Sequence, residues 1–156
     1  MNKTQLGHLA DWVSGVSFSP SEKLEPFSDE SIICFTTRNV QAELDDSTVV
    51  AIPNGKVKRK EQYVQKGDIL ISTANSWNLV GKCCWVPDLS YRATIGAFIS
   101  LIRPRKEQVF PRFLYYWMSA PKTQDKLRNM GRQTTNISNL DKILALKLDL
   151  PLPPLP

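Results

Sequence analysis

Residues 66–86 read KGDILISTANSWNLVGKCCWV, and this stretch decides the fold class. Lys66-Gly67-Asp68 is turn chemistry that leads into DILIST (68–73), a short run of large apolar residues. A polar connection, Ser72 to Asn78, follows, and then LVGKCCWV (79–86), a second strand pattern. Outward from this unit the same signals recur in SIICFTT (31–37), STVVAI (47–52) and IGAFISLI (95–102). Asp45-Asp46, Pro53-Asn54-Gly55 and Pro87-Asp88 separate them as turns. Their alternation is imperfect, as in a sheet covered on both faces or curling into a barrel. Short, evenly spaced strands favour a curled, mainly antiparallel, barrel-like sheet over repeated βαβ units.

The last third changes period. Phe110, Phe113, Leu114, Trp117 and Met118 fall on one helical stripe, with Pro111 near its start. Such a stripe reads as core. A second helix is expected from Pro121 to Gly131, the glycine taking the left-handed C-terminal position. Another short helix begins around Ser138 with Asp141 in its first turn. Leucines alternate from Leu144 to Leu150, which predicts a strand over 143–150. The chain ends on PLPPLP as extended polyproline. The fold class expected is therefore α+β, a curled sheet with a C-terminal group of short helices.

At 156 residues the chain suits one domain. Its hydrophobic and charged fractions, 42% and 22%, place it among folded proteins rather than disordered ones. The longest uncharged run, Ile69 to Gly81, is too short and too polar to span a bilayer. The N-terminus lacks the apolar stretch of a signal peptide, so the cytoplasm is the expected compartment. Three cysteines, two of them adjacent, build neither a disulfide framework nor a zinc site, and read as small buried hydrophobes. The net charge of +5 suits a polyanionic partner, and its distribution is uneven. Residues 1–78 carry 8 basic and 10 acidic side chains, and residues 79–156 carry 12 and 5. Lys56, Lys58, Arg59, Lys60 and Lys66 form one dense basic patch in the acidic half.

Catalytic chemistry is thinly represented. The single histidine, His8, has no carboxylate or thiol pattern beside it and reads as a surface or packing residue. No Asp or Glu stands two residues before a Lys, which removes the carboxylate–x–lysine core of many metal-dependent nucleases. Neither a glycine-rich dinucleotide loop nor a Walker loop occurs, and the Asn-Pro-Pro-aromatic motif of amino-methyltransferases is absent. The expectation is a binder with no catalytic residue, no metal site and no cofactor of its own.

Polar loops supply the positive signals. Asn75, Ser76, Trp77 and Asn78 follow the strand DILIST; amides and hydroxyls match base edges, and Trp77 suits a sugar or an unstacked base. An ordinary hairpin connection explains the same residues. Arg38, Asn39 and Gln41 follow another strand, with Arg suited to guanine and Asn or Gln to adenine. Gln133, Thr134 and Asn136 lie in a polar run between helices. Lys56, Lys58, Arg59, Lys60, Arg92, Arg105, Arg128 and Arg132 are candidate phosphate contacts, which position without specifying. For the patch at 56–60, a solvated charged face is the competing reading. Gly67 and Asp68 read as structural, the first turning the chain and the second pinning the turn.

The order of segments resembles a known family. LGHLADWVSGVSF, ICFTTRNV, YVQKGDILIST, LVGKCCWV, FPRFLYYWMSA, GRQTTNIS and LDLPLPPLP together resemble a target recognition domain of the specificity (S, HsdS) subunits of type I restriction–modification systems. Each word is weak alone; seven in the family's order, over essentially the whole chain, are specific. The resemblance implies sequence-specific binding of double-stranded DNA, reading one half of a bipartite target. It implies as partners a methyltransferase (M) subunit and, in the full complex, a restriction (R) subunit. S-adenosylmethionine, ATP and Mg would then belong to those subunits. It also implies a recognition domain over 1–150, with 151–156 opening the linker to a spacer helix and a second domain that are absent here. Beginning at Met1, the chain resembles the first of the two domains, and PLPPLP then reads as an interdomain hinge. The alternatives are the recognition domain of a fused restriction–methylation enzyme, a small DNA-modifying enzyme fragment, and a protein-interaction module. Base-reading residues of this family lie in variable loops, so the resemblance assigns no individual contact, and the candidate readers rest on side-chain chemistry.

Overall fold

The structure, a computed structural model, describes residues 3–133 and 137–155; of Arg132 and Gln133 it describes the backbone only. Strands β1 (Lys3–Gln5), β2 (Ala10–Ser14), β3 (Ser31–Phe35), β4 (Val50–Pro53), β5 (Ile69–Ser72), β6 (Ala74–Asn75), β7 (Cys83–Trp85), β8 (Ala93–Ile95) and β9 (Ile99–Pro104) come first. Helices α1 (Pro111–Ser119) and α2 (Pro121–Asn129) follow, then β10 (Arg132–Gln133), β11 (Ser138–Asn139), α3 (Lys142–Leu146) and β12 (Asp149–Pro151). A four-stranded antiparallel sheet has the order β2-β9-β5-β7, and a three-stranded sheet has the order β4-β3-β8. Within the latter, β3 and β8 run parallel. The curled, mainly antiparallel expectation holds, but the described strands close no barrel.

Layering explains the imperfect alternation. Leu70 of β5, Leu101 of β9 and Val13 of β2 pack with Ile33, Phe35 and Ile95 of the smaller sheet, forming a core between the sheets. From the other face of the larger sheet, Ile69, Ile71 and Ile102 meet Leu114, Met118 and Leu127 of the helices. β5 is therefore buried on both sides, as ILIS implied. At roughly 1.5–3 kcal/mol for each large apolar side chain buried, these two cores dominate stability. β1 pairs with β12, bringing residues 3–5 against 149–151. Among the described residues no helix is long and apolar enough to cross a membrane.

The structure corrects several element assignments. The expected strand 79–86 is confined to Cys83–Trp85, because Gly81 (φ +88°) turns the chain and its N–H donates to the Ser72 carbonyl at 2.8 Å. The run 95–102 is split by a turn at 96–98 into β8 and β9. Ser138 opens no helix but lies in β11. The alternation over 143–150 belongs to α3 followed by β12, since the Asp141 carboxylate accepts the Leu144 N–H at 3.0 Å and caps a helix instead. Gly131 does not adopt the left-handed conformation. The space around it is tight: a Cβ there would lie 3.2 Å from the Arg128 carbonyl oxygen and 3.3 Å from that of Asn139.

The turn before β5 is built as expected. Gly67 has φ +90°, and the buried Asp68 accepts the Gln65 N–H at 2.7 Å. Asp68 also receives Arg103 Nε and Nη2, both at 2.9 Å, in a bidentate pair. Burial raises the Asp68 carboxyl against the pull of Arg103 and the Gln65 N–H. The geometry is nevertheless that of an ionised group that only accepts.

All three thiols are buried, and burial pushes them up to about 12. Because the thiolate is the reactive form, a disulfide reagent at about pH 8 should modify none of them in folded protein. All three should react in guanidinium chloride. Rapid labelling of native protein would contradict the buried placement of Cys34, Cys83 and Cys84.

Candidate nucleic-acid interface

Strand direction gathers the polar loops. β5 ends at Ser72 and β7 begins at Cys83, paired with Ile71, so the connection 73–82 leaves one end of the larger sheet. β9 begins at that end, with Ile99 opposite Ser72. The turn Gly96-Ala97-Phe98 therefore lies beside the connection, and the Phe98 carbonyl accepts the Thr73 N–H at 2.9 Å. β3 ends at Phe35 next to Ile95, so the turn carrying Arg38 arrives at the same place. Arg38, Val16, Phe18 and Phe98 line one groove of about 650 Å³. Lys82 Nζ donates to Gln41 Oε1 at 2.7 Å and ties the connection 73–82 to the segment that carries Arg38. Three loops distant in sequence thus share one surface.

Within it the nominated readers differ sharply. Arg38 is exposed and Gln41 half-buried, the latter also donating from Nε2 to the Arg38 carbonyl at 2.9 Å. Asn39 is not available. It is 1% exposed, its Oδ1 accepts the Thr36 N–H at 2.8 Å, and its Nδ2 donates to the carbonyls of Asp45 and Thr48. Its amide is spent on holding the turn, which corrects its nomination as a base reader. Asn75 Oδ1 accepts the Ser76 N–H, and Ser76 Oγ donates to Asn78 Oδ1 at 2.8 Å, so these residues shape their own loop. Asn78 and Trp77 remain exposed, and the Arg128 guanidinium lies 5.3 Å from the centre of the Trp77 ring. β6 pairs with β11 and β11 with β10, which brings Gln133 to the same edge by its backbone. Thr134 and Asn136 lie outside the described residues, as do the side chains of Gln133 and Arg132.

The cationic candidates are dispersed. Lys56 pairs with Glu22, whose carboxyl this hydrogen bond holds below its ordinary value. Arg105 pairs with Asp11 at 2.8 Å and donates to the carbonyls of Gly7 and His8; its role is to join the N-terminal segment to the end of β9. Arg128 pairs with Asp125 at 3.1 Å, and Arg92 stacks on Tyr63 at 4.7 Å. Lys58, Arg59 and Lys60 are exposed, with no carboxylate in salt-bridge range among the described residues. Gln62 anchors their segment, donating from Nε2 to Ser14 and, by its carbonyl, accepting from Thr94 Oγ1. This segment leaves β4 after Pro53, which pairs with Ser31 at the start of β3, at the end opposite the Arg38 turn. Sequence reasoning missed Lys82 and Phe98. The Lys82–Gln41 contact spans 41 positions and has no local signature; Phe98 sat in what read as an unbroken strand.

Among the described residues no group of three or more His, Cys, Asp or Glu side chains could hold a metal ion. No protein-family model matches the chain. The chain is 22% identical over 144 residues to the EcoKI specificity subunit, a type I restriction enzyme subunit of Escherichia coli K12. That alignment covers 92% of this chain and 30% of the relative. The fold matches the HsdS subunit from Thermoanaerobacter tengcongensis with a TM-score of 0.70 at 20% identity, covering 98% of this chain and 33% of that one. A chain from a structural study of complex assembly and conformational transition of the type I R-M system matches with a TM-score of 0.69 at 21% identity. It is covered to 34%, by 99% of this chain. The chain therefore spans about a third of the length of its relatives, and over nearly all of its own length it is similar to type I specificity subunits.

Proposed function

We propose that this chain is a target recognition domain that binds double-stranded DNA and reads one half of a bipartite sequence for a type I restriction–modification complex. The observation that carries the reading is the convergence of the Arg38 turn, the connection 73–82 and the turn 96–98 on one surface of a specificity-subunit fold. Arg38 reads guanine through its paired donors, and Asn78 with Trp77 follows the groove edge. Lys58, Arg59 and Lys60 hold phosphates, away from the reading loops. Methylation and cleavage belong to partner methyltransferase and restriction subunits, which carry S-adenosylmethionine, ATP and Mg. The likeness to a chain studied for type I complex assembly supports that division of labour. Residues 1–150 act as one recognition domain, and 151–156 lead toward a spacer helix.

Selection of bound duplexes from a random library tests the reading. One short motif should be enriched, and affinity should fall steeply with salt as counterions are released. Failure to retain any duplex at low salt, or retention without enrichment, rejects it. A single module buries roughly 600–1,000 Å² of protein surface, so weak monomeric binding is expected. Arg38→Ala should cost about 1–3 kcal/mol and relax one position of the motif, whereas Lys58→Ala should weaken all sequences alike and lower the salt slope by about 1. Competition binding against mutated duplexes separates the two. A Lys58 variant with altered sequence preference would reverse the assigned roles.

A further inference from the structure

Phe98 is 65% exposed at the tip of the β8–β9 turn, where a short connection ordinarily carries polar residues. Among the described residues no aromatic ring and no cation packs on it, whereas Trp77 has Arg128 over its face. The backbone behind the ring is held from both sides. The Phe98 carbonyl accepts the N–H groups of Thr73 and Ala74 at 2.9 and 3.3 Å, and the Gly96 N–H donates to the Phe35 carbonyl at 2.9 Å. On the other flank the ring borders the groove that Arg38 also lines. A large apolar side chain thus stands on a rigid support between two base-reading loops.

We propose that Phe98 is a wedge that enters the DNA stack between adjacent base pairs and unstacks one step beside the bases read by Arg38 and the 73–82 loop. The inference rests on the DNA-reading function above and adds a mechanism to it. Unstacking a step costs a few kcal/mol, so the wedge must be large, apolar and unable to retreat. The phenyl ring meets the first two requirements, and the hydrogen bonds at Thr73, Ala74 and Phe35 meet the third. A wedge here also makes recognition depend on how easily the pierced step deforms, giving specificity at a position no side chain hydrogen-bonds.

The test uses the full chain and the duplex recovered by selection, with 2-aminopurine placed at successive positions. Wild-type binding should raise fluorescence at one step. Phe98→Ala should abolish that rise and weaken binding about 10–100-fold. Phe98→Trp should preserve both. On a duplex carrying an abasic site at the pierced step, the alanine variant should bind within about threefold of wild type, because unstacking has already been supplied. Equal loss on intact and abasic duplexes, or no loss on either, overturns the wedge while leaving DNA reading intact. Wild-type protein that binds no duplex overturns the recognition reading, and the wedge falls with it. Since the ring is mostly exposed, the variants should keep the wild-type unfolding midpoint, which excludes misfolding as the cause of lost binding.

Discussion

Asp68→Ala is expected to destabilise the protein by about 3 kcal/mol, the lower end of what breaking a buried ion pair costs. The carboxylate is 1% exposed and is the shared partner of Arg103 Nε, Arg103 Nη2 and the Gln65 N–H. Removing it strands a guanidinium whose side chain is only 19% exposed. The loss stays at the lower end because Arg103 retains the carbonyls of Glu61 and Tyr63, at 3.2 and 2.9 Å. The same pair closes the turn that feeds β5, and β5 delivers the 73–82 connection, so under the proposed function DNA affinity should fall with stability. Replacing both partners, as in Asp68→Ala with Arg103→Met, removes the stranded charge and should recover a substantial part of the loss. Urea unfolding of the single and double variants measures the coupling. A single-variant loss below about 1 kcal/mol would show that the pair is solvated, contrary to its burial.

The sequence was most legible where local chemistry and tertiary packing agreed. Gly67-Asp68 read as a pinned turn because a left-handed glycine and an acceptor side chain are both local devices, and the structure uses both. The stripe from Phe110 to Met118 read as a helix against a core, and that holds in part: Leu114 and Met118 are fully buried and Phe113 and Trp117 half-buried, whereas Phe110 precedes the helix and is 51% exposed. Legibility failed where a pattern fitted two periods. Residues 143–150 alternate like a strand, yet one aspartate cap converts their first half to a helix that buries Ala145. Asn39 failed for another reason. An asparagine after a strand suits adenine and suits a turn equally, and only the carbonyls of Asp45 and Thr48 decide which need it meets. Convergence of the loops was not legible at all, because it depends on β3 and β8 pairing in parallel between residues 60 positions apart, such as Ile33 and Ala93.

Gly15→Ala should be the other severe variant, and the reason is spatial. A Cβ at position 15 would stand 2.0 Å from the carbonyl oxygen of Gly96, 2.5 Å from its carbon and 2.7 Å from the oxygen of Ile95. All three are backbone atoms, so no rotamer change relieves the clash, and the segment after β2 must separate from β8. That separation stretches the hydrogen bond from the Val16 N–H to the Ile95 carbonyl, now 2.8 Å, and draws Val16 from its cluster with Ile32, Cys34 and Ile52. Overpacking with loss of one hydrogen bond and part of a buried contact amounts to about 2–4 kcal/mol. Gly96→Ala is the matched control. Its Cβ would meet the Phe35 oxygen at 3.5 Å, Phe18 Cε1 at 3.6 Å and Cys34 Sγ at 3.7 Å, all ordinary contacts, and should cost less than about 1 kcal/mol. The contrast bears on the proposed function because the displaced segment supports the turn carrying Phe98 and one wall of the groove lined by Arg38. Under conditions where it remains folded, the Gly15 variant should therefore lose sequence preference as well as stability, while the Gly96 variant keeps both. Guanidinium unfolding with competition binding on the selected duplex gives the two readings. Equal midpoints for the two variants would show that β2 and β8 do not approach as closely as Gly15 permits.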